Sequence, residues 1–336
     1  MDLLNALVTT LNFVIIPAVT YGSQLALGAL GVTLIYGILR FSNFAHGDTM
    51  AFGTMATILT TWTLQAGGIG LGIFPTALLA LPVGIAATVI WVLATDRLVY
   101  RFYRGQRVKP VVMVMVSLGV MFVTNGFVRL IIGPGDRRFD DGARFIFSAG
   151  EFREWSGLAE GLALRSTQAL TVVLAILVMI ALFWFLNRTR TGKSMRAYSD
   201  NEDLALLSGI SPERVVMVTW LIAGALATVA GVLYGLDKGF RPFTYFQLLL
   251  PIFASAIVGG LGNPMGAIAG GYLIAFAEMT ITYNWRRVLN HLLEQDLPPG
   301  VAIQLLSVDY KFAVSFGLLV LVLVIRPTGI FRGKSV

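Results

Sequence analysis

The feature that most constrains this chain is the recurrence of long, largely apolar runs: Gly22–Leu39, Asn43–Gln65, Gly70–Ala94, Pro110–Ile132, Thr167–Leu186, Val215–Leu236, Gln247–Gly262, Asn263–Trp285 and Tyr310–Ile325. A hydrocarbon core takes roughly 20 apolar residues per helix, so these runs are candidate membrane crossings. Leu3–Ile16 is a marginal further segment, which Pro17 is expected to break. The count is therefore eight to ten, in one all-α polytopic bundle covering residues 1–336. The composition agrees, with 56% hydrophobic and 13% charged residues, against about 45–50% and about 25% in soluble domains. Met1–Asn5 lacks the basic start of a secretory signal, and no small-residue cleavage site follows, so this stretch reads as part of the mature protein.

Charge sets the expected orientation, because Lys and Arg gather in cytoplasmic loops. Arg97, Arg101, Arg104, Arg107 and Lys109 stand in one short loop beside Asp96; Arg188, Arg190, Lys193 and Arg196 open the loop 188–214; Arg326, Arg332 and Lys334 mark the C-terminal tail. All three are expected inside. Loop 133–166 balances five arginines with Asp136, Asp140, Asp141, Glu151, Glu154 and Glu160, and is expected outside together with 286–309. The five assignments agree with the spans between them. The net charge of +7 then needs no nucleic acid partner, since no soluble basic domain carries it. The chain has no cysteine, and its only histidines are His46 and His291; disulfides, thiolate catalysis and a histidine-rich metal site fall away.

Two places interrupt the apolar pattern. Arg40-Phe-Ser-Asn-Phe-Ala-His-Gly-Asp48 joins two spans with too few residues for a proper loop, and a helix of small residues follows. His46 and Asp48 are costly there unless they face a partner or a water-filled path, which makes Asn43, Phe44, His46 and Asp48 candidate pathway residues. Being two apart, His46 and Asp48 do not share a helix face. The second interruption is Gly259-Gly-Leu-Gly-Asn-Pro-Met-Gly266, again followed by a small-residue helix, with Gly259, Gly260, Gly262 and Asn263 as candidates. Paired interruptions in two halves are expected of internal repeats around a midplane pathway. The plainer reading makes both tight turns at the membrane surface. Gly231-Val-Leu-Tyr-Gly235 and the series Gly262, Gly266, Gly270 predict close helix packing and carry no function by themselves.

Loop 188–214 predicts a short amphipathic helix, with Ser199 or Asp200 as N-cap, Glu202 and Asp203 in the first turn, apolar Leu204, Leu206 and Leu207, and Gly209 as the stop. Such an element suits docking to a grooved partner; the plainer alternative is that it lies against the membrane surface. Ser211-Pro212-Glu213 then opens the next span with proline at its first position. Gly192-Lys193-Ser194 resembles the end of a phosphate-binding loop, but Asn187 stands where the first glycine is required and no strand precedes it. Any ATP hydrolysis belongs to another subunit.

Taken together, Asn43-Phe-Ala-His-Gly47, the stretch from Arg196-Ala197 to Gly209-Ile210, Gly231–Gly235, Gly259–Gly262 and Arg326-Pro-Thr-Gly-Ile330 resemble the LivH-type permeases of the branched-chain, hydrophobic amino-acid ABC importers, in the family's order and over nearly the whole chain. The resemblance implies a bacterial inner-membrane protein with a cytoplasmic C-terminus and no catalytic residues. It implies a second, related permease, two cytoplasmic ATPases carrying ATP and Mg, which dock on the coupling segment Ser199–Gly209, and a periplasmic binding protein. Asp48 stands where many relatives carry Glu, and Glu294–Ile303 looks like an enlarged outer loop. Permeases for urea, amides and other small polar solutes share the resemblance, so the cargo stays open. An ion-coupled secondary transporter would lean on Asp48 and Glu278. A channel would need a filter-like segment, and an intramembrane enzyme would need a serine or metal cluster beside His46; neither pattern is present.

Overall fold

The computed structural model describes residues 2–72, 74–139, 145–293 and 303–331. Thirteen helices account for most of them, numbered here in chain order. Nine cross the bundle: α1 (Asp2–Leu39), α2 (His46–Ala66), α3 (Ala77–Gly105), α4 (Pro110–Ile132), α6 (Ser166–Arg188), α9 (Pro212–Lys238), α10 (Pro242–Gly259), α11 (Pro264–Thr282) and α13 (Lys311–Ile325). The other four are the short α5 (Ala149–Ser156), α7 (Arg190–Asp200), α8 (Glu202–Leu207) and α12 (Arg286–Leu293). Eight helices are long and apolar enough to span a bilayer, and α2 is the crossing helix that is not among them.

Contacts sort the loops onto two ends. At one end Arg101 pairs with Glu213 at 2.6 Å, the Arg40 guanidinium donates to the Ser199 carbonyl at 2.7 Å, and Asn263 donates to the Phe331 carbonyl. At the other end the Glu160 amide donates to Asn5, the Arg137 and Phe240 backbones pair, and Arg287 and His291 both reach Glu160. The described parts of the segments expected inside therefore share the first, basic end, and those of the segments expected outside share the second; Asp140, Asp141, Arg332 and Lys334 lie outside the described residues. The predicted enlargement at Glu294–Ile303 lies outside the described residues except for Ile303.

Several predicted boundaries move. Pro17 does not break the first segment. Leu11–Ile15 form a π turn in which the Ile16 amide donates to Leu11, five residues back, and Pro17 follows directly, so the helix runs on through the proline. The second helix starts at His46 rather than Asn43, and the third at Ala77 rather than Gly70, after a glycine-rich turn ending in Pro75. Loop 286–309 holds a helix, α12. In loop 133–166, β1 (Phe145–Phe147) and β2 (Leu164–Arg165), which flank α5 in the chain, pair antiparallel.

Glycines set how closely the central helices approach. A Cβ on Gly266 would collide with the Gly259 carbonyl, one on Gly270 with the Ser255 carbonyl, and one on Gly271 would stand 2.7 Å from the Ala26 amide nitrogen. α11 thus packs backbone to backbone on α10 and α1, as small residues permit where no hydrophobic force drives association in lipid. α9 meets α2 in the same way, through Gly231 against the Met50 carbonyl. Among the eight apolar spans α9 and α10 are the most enclosed, with 72% and 61% buried, while α13 is the most exposed, with 11% of its span buried.

Candidate functional site

The bundle's polar centre is α2. Thr49, Thr54, Thr57 and Thr61 are buried, and each hydroxyl donates 2.8 Å back to the carbonyl four residues earlier. That local bond satisfies a hydroxyl without a distant partner, so a threonine-rich helix can sit in a membrane bundle once other helices enclose it. Gly53 supplies the room: a side chain there would meet Thr88 of α3 and Thr228 of α9.

The chain enters α2 by doubling back. α1 ends at Leu39, Arg40 takes a left-handed conformation (φ 58°), and Phe41–Ala45 return into the bundle. His46 then lies against Gly31, two helical turns before the end of α1, which is about 12 Å back along the axis. The re-entry is pinned side by side. Asn43 Oδ1 accepts from the Ala45 amide at 3.1 Å and from the Tyr100 hydroxyl at 3.2 Å. The Phe44 amide donates to Ser117 Oγ at 3.1 Å, and its ring rests on Phe253 of α10 with centroids 5.1 Å apart.

His46 and Asp48 point apart, as their spacing predicts. The imidazole faces α1 and hydrogen-bonds the Gly28 backbone, while Nε2 has no hydrogen-bond partner among the described residues. Asp48 faces α4, where Asn125 Nδ2 donates to Oδ1 at 2.6 Å; Oδ2 is unpartnered among the described residues. Both residues are essentially fully buried. Buried polar atoms without partners are rare in folded proteins, and two of them stand two residues apart at the head of one helix.

The second interruption sits elsewhere. Gly259, Gly260, Gly262 and Asn263 form a tight turn at the basic end, not a midplane break. Gly260 (φ 109°) and Gly262 (φ 80°) supply the positive dihedrals, and Asn263 caps α11 by accepting from the Met265 and Gly266 amides. The C-terminal stretch closes over the turn through Ile330 N–H to the Val258 carbonyl at 2.9 Å. The two interruptions thus differ in depth and in construction, and they lend no support to an internal relation between two halves.

The predicted coupling segment is two helices rather than one. Asn201, in an extended conformation, caps α8 by accepting from the Leu204 amide at 3.0 Å; Ser199 and Asp200 are the last residues of α7, itself capped by Thr189 on the Gly192 amide. Gly209 (φ 79°) ends α8 as predicted, with the Ile210 amide donating back to Ala205. Glu202 accepts from the Tyr198 hydroxyl at 2.6 Å across the corner, and burial followed by that bond pushes the phenol well above its usual range. Ala205 is buried, whereas Leu204, Leu206 and Leu207 are 60%, 42% and 85% exposed. Ser199 Oγ donates to the Gly37 carbonyl at 3.0 Å while Arg40 grips the Ser199 carbonyl. The loop is therefore fastened to the end of α1, next to the re-entrant stretch. Gly192 lies inside the first turn of α7, against the Phe185 carbonyl, in a helix corner with none of the strand–loop–helix context a phosphate cradle needs.

Sequence reasoning did not find the partners Asn125, Ser117 and Tyr100. Asn125 is one of few polar residues within Pro110–Ile132, but nothing local links it to Asp48, 77 positions away. Asp96 was also underread: it is buried, receives Arg104 at 2.8 and 3.3 Å, and accepts from the Trp220 indole at 2.8 Å. Glu278 is buried on α11 and accepts from Ser315 of α13.

Compared with known proteins, residues 14–323 match the family described as branched-chain amino acid transport system, permease component. The chain is 30% identical over 320 residues to the high-affinity branched-chain amino acid transport system permease protein LivH of Escherichia coli K12, covering 95% of this chain and 94% of that one. It is 30% identical over 325 residues to the corresponding protein BraD of Pseudomonas aeruginosa, covering 96% of each. Against the probable branched-chain amino acid transport permease protein LivH of Methanocaldococcus jannaschii it is 32% identical over 272 residues, 79% of each chain.

Proposed function

The chain belongs to the branched-chain amino acid permease family of ABC importers, and from that premise we propose that it carries branched-chain or other hydrophobic amino acids inward as half of a two-permease pathway. The observation that supports this most is the extent of the family match, residues 14–323, which takes in seven of the nine crossing helices whole and most of α1 and α13. A homologous permease would supply the other half. Two ATPases would bring ATP and Mg, and a periplasmic binding protein would deliver the cargo. In this reading the basic end is the cytoplasmic one, following the positive-inside rule, and the C-terminus lies on the cytoplasmic side of a bacterial inner membrane.

In this mechanism the ATPases seat on α8, where Leu204, Leu206 and Leu207 offer an uncovered apolar surface. Their closure on ATP displaces α7 and α8 together, and the Ser199–Gly37 and Arg40–Ser199 bonds transmit the displacement to the end of α1. The adjoining stretch Asn43–Asp48 then shifts against α4 and α10. The energy comes from the difference in nucleotide affinity between the two states. His46 Nε2 and Asp48 Oδ2, without hydrogen-bond partners among the described residues, become the polar groups that meet the cargo's charged ends. Gly259–Asn263 is given a hinge role in the same movement, since the turn lies under the C-terminal stretch.

The test is uptake of labelled leucine into proteoliposomes holding this chain with its co-purified partners. Uptake that requires ATP and binding protein, and that unlabelled isoleucine but not urea or acetamide suppresses, is the expected result. Suppression by urea or acetamide instead would move the cargo to small polar solutes. Uptake driven by an ion gradient without ATP would favour the secondary-transporter reading through Asp48 and Glu278.

A further inference from the structure

α6 carries a groove that adjoins a cavity at the basic end. Along the helix a depression of about 400 Å³ is lined by Ile176, Met179, Ile180, Phe183 and Trp184, and ends at Asn187 and Arg188. A second cavity, of about 660 Å³, lies between α1, α6, α7 and the start of α11. Phe183 and Asn187 line both, so the two spaces meet at the end of α6. The chemistry changes along the way. The groove is aliphatic and aromatic at the depth of the membrane span, whereas the far cavity adds the Arg196 guanidinium, Ser199 and Asp200 to apolar walls such as Leu34 and Met195. Arg196 is held in place by donating to Asn187 Oδ1 at 2.9 Å. Arg188 and Arg196 are both exposed, as are Ile176, Ile180 and Trp184 on the lipid-facing stripe of α6.

We propose that this joined groove and cavity bind an anionic phospholipid of the leaflet at the basic end. One acyl chain lies along Ile176, Ile180 and Trp184, and the headgroup phosphate lies between Arg188 and Arg196. Three observations single out this occupant. The groove continues the surface that already faces hydrocarbon, an aromatic ring sits at its interfacial end as in the aromatic belts of membrane proteins, and two guanidiniums stand where a headgroup would come to rest. Asp200 limits the site to a single phosphodiester charge, because a more highly charged headgroup would be pressed against its carboxylate. Since Ser199 and Gly37 also line the cavity, the bound lipid would touch the junction that fastens α7 to α1. The proposal rests on the membrane-spanning fold and not on the identity of the cargo.

Native mass spectrometry of the protein in mild detergent, titrated with phosphatidylglycerol and separately with phosphatidylcholine, tests it. The wild type should retain phosphatidylglycerol in preference, by about fivefold for each arginine engaged. Arg188→Gln at an exposed position, and R188Q combined with R196Q, should erase the preference stepwise, and Ile180→Trp should lower retention of the lipid by filling the groove. R107Q, on the other basic loop, should leave the preference intact. Equal retention of both lipids by the wild type would overturn the proposal, as would loss of selectivity in R107Q to the same degree. Loss of the bound lipid when the ATPases are added would also overturn it, by assigning the cavity to their contact.

Discussion

At the scale of single residues, the membrane core tolerates Asp48 because Asn125 reaches it, and what remains without a partner among the described residues is one carboxylate oxygen on one side of α2 and the His46 imidazole nitrogen on another. Replacing both His46 and Asp48 with alanine should lower uptake by about tenfold or more, the scale of losing hydrogen bonds to charged groups, while the amounts of co-purifying partners stay constant. Unchanged uptake would make the segment structural. Asp96 has the opposite character, with each oxygen engaged by Arg104 or Trp220. Asp96→Ala should therefore destabilise the protein by about 1–3 kcal/mol, measured as thermal unfolding in detergent. The polar residues themselves were legible in the sequence, because a His and an Asp among apolar neighbours need a reason. Their partners were not. Tyr100 lies 57 positions from Asn43 and Asn125 lies 77 from Asp48, and only the folded bundle brings them together.

At the scale of elements, the corner between α7 and α8 was only half visible. Three consecutive residues, Ser199, Asp200 and Asn201, can each cap a helix. Asn201 takes the role because Ser199 is already held by Gly37 and Arg40, which keeps Ser199 and Asp200 inside the preceding helix. The stop at Gly209 was legible from its residue type alone, since a left-handed residue favours glycine. Leu206→Glu and, separately, Gly209→Glu should leave insertion intact and uncouple ATP hydrolysis from transport in the reconstituted complex. Full coupled activity in both would end the docking role of α8. The glycine contacts between α10 and α11 make a different forecast: Gly266→Ala, which drives a methyl onto the Gly259 backbone, should cost about 1–3 kcal/mol as overpacking does, visible as a lower unfolding temperature.

At the scale of the whole molecule, the loops predicted to share a side do share an end of the bundle, and this was the most legible property of the chain. Charge balance was enough to sort them, because it acts loop by loop and needs no tertiary detail. The inward-folded stretch after Leu39 was visible as too short a loop, but the depth to which it returns was not. Since the chain has no cysteine, sidedness can be measured on single-cysteine variants without background. Ala159→Cys should react with a membrane-impermeant maleimide from outside intact cells, and Ser208→Cys only after permeabilisation; the reverse pattern would invert the orientation. The end opposite the basic one also has a pH signature. Burial works to raise the Glu160 carboxyl, but hydrogen bonds from His291 and Arg287 prevail and hold it below the ordinary carboxylate range. A group depressed on folding stabilises fully above its unfolded value, and the contribution is lost as pH falls through the folded one. Hydrogen exchange over 286–293 should therefore accelerate below about pH 4, with no matching change at the basic end.

The π turn at Leu11–Ile15 also acts as a phase setting. Each residue added to or removed from a helix rotates everything beyond it by about 100°, so one residue inside this turn decides which way the first ten face. In the present phase Asn5 and Asn12 both accept backbone amides of the outer loop, from Glu160 and Ala163 at 3.2 Å. Deleting Phe13 to restore a regular α-helix would turn Asn5 away from its partner while leaving every residue after Ile16 in place. Whatever rides on the outer face of this permease is thus indexed to the membrane bundle by a single inserted amino acid, and a length change there would re-aim the outer surface without touching the core.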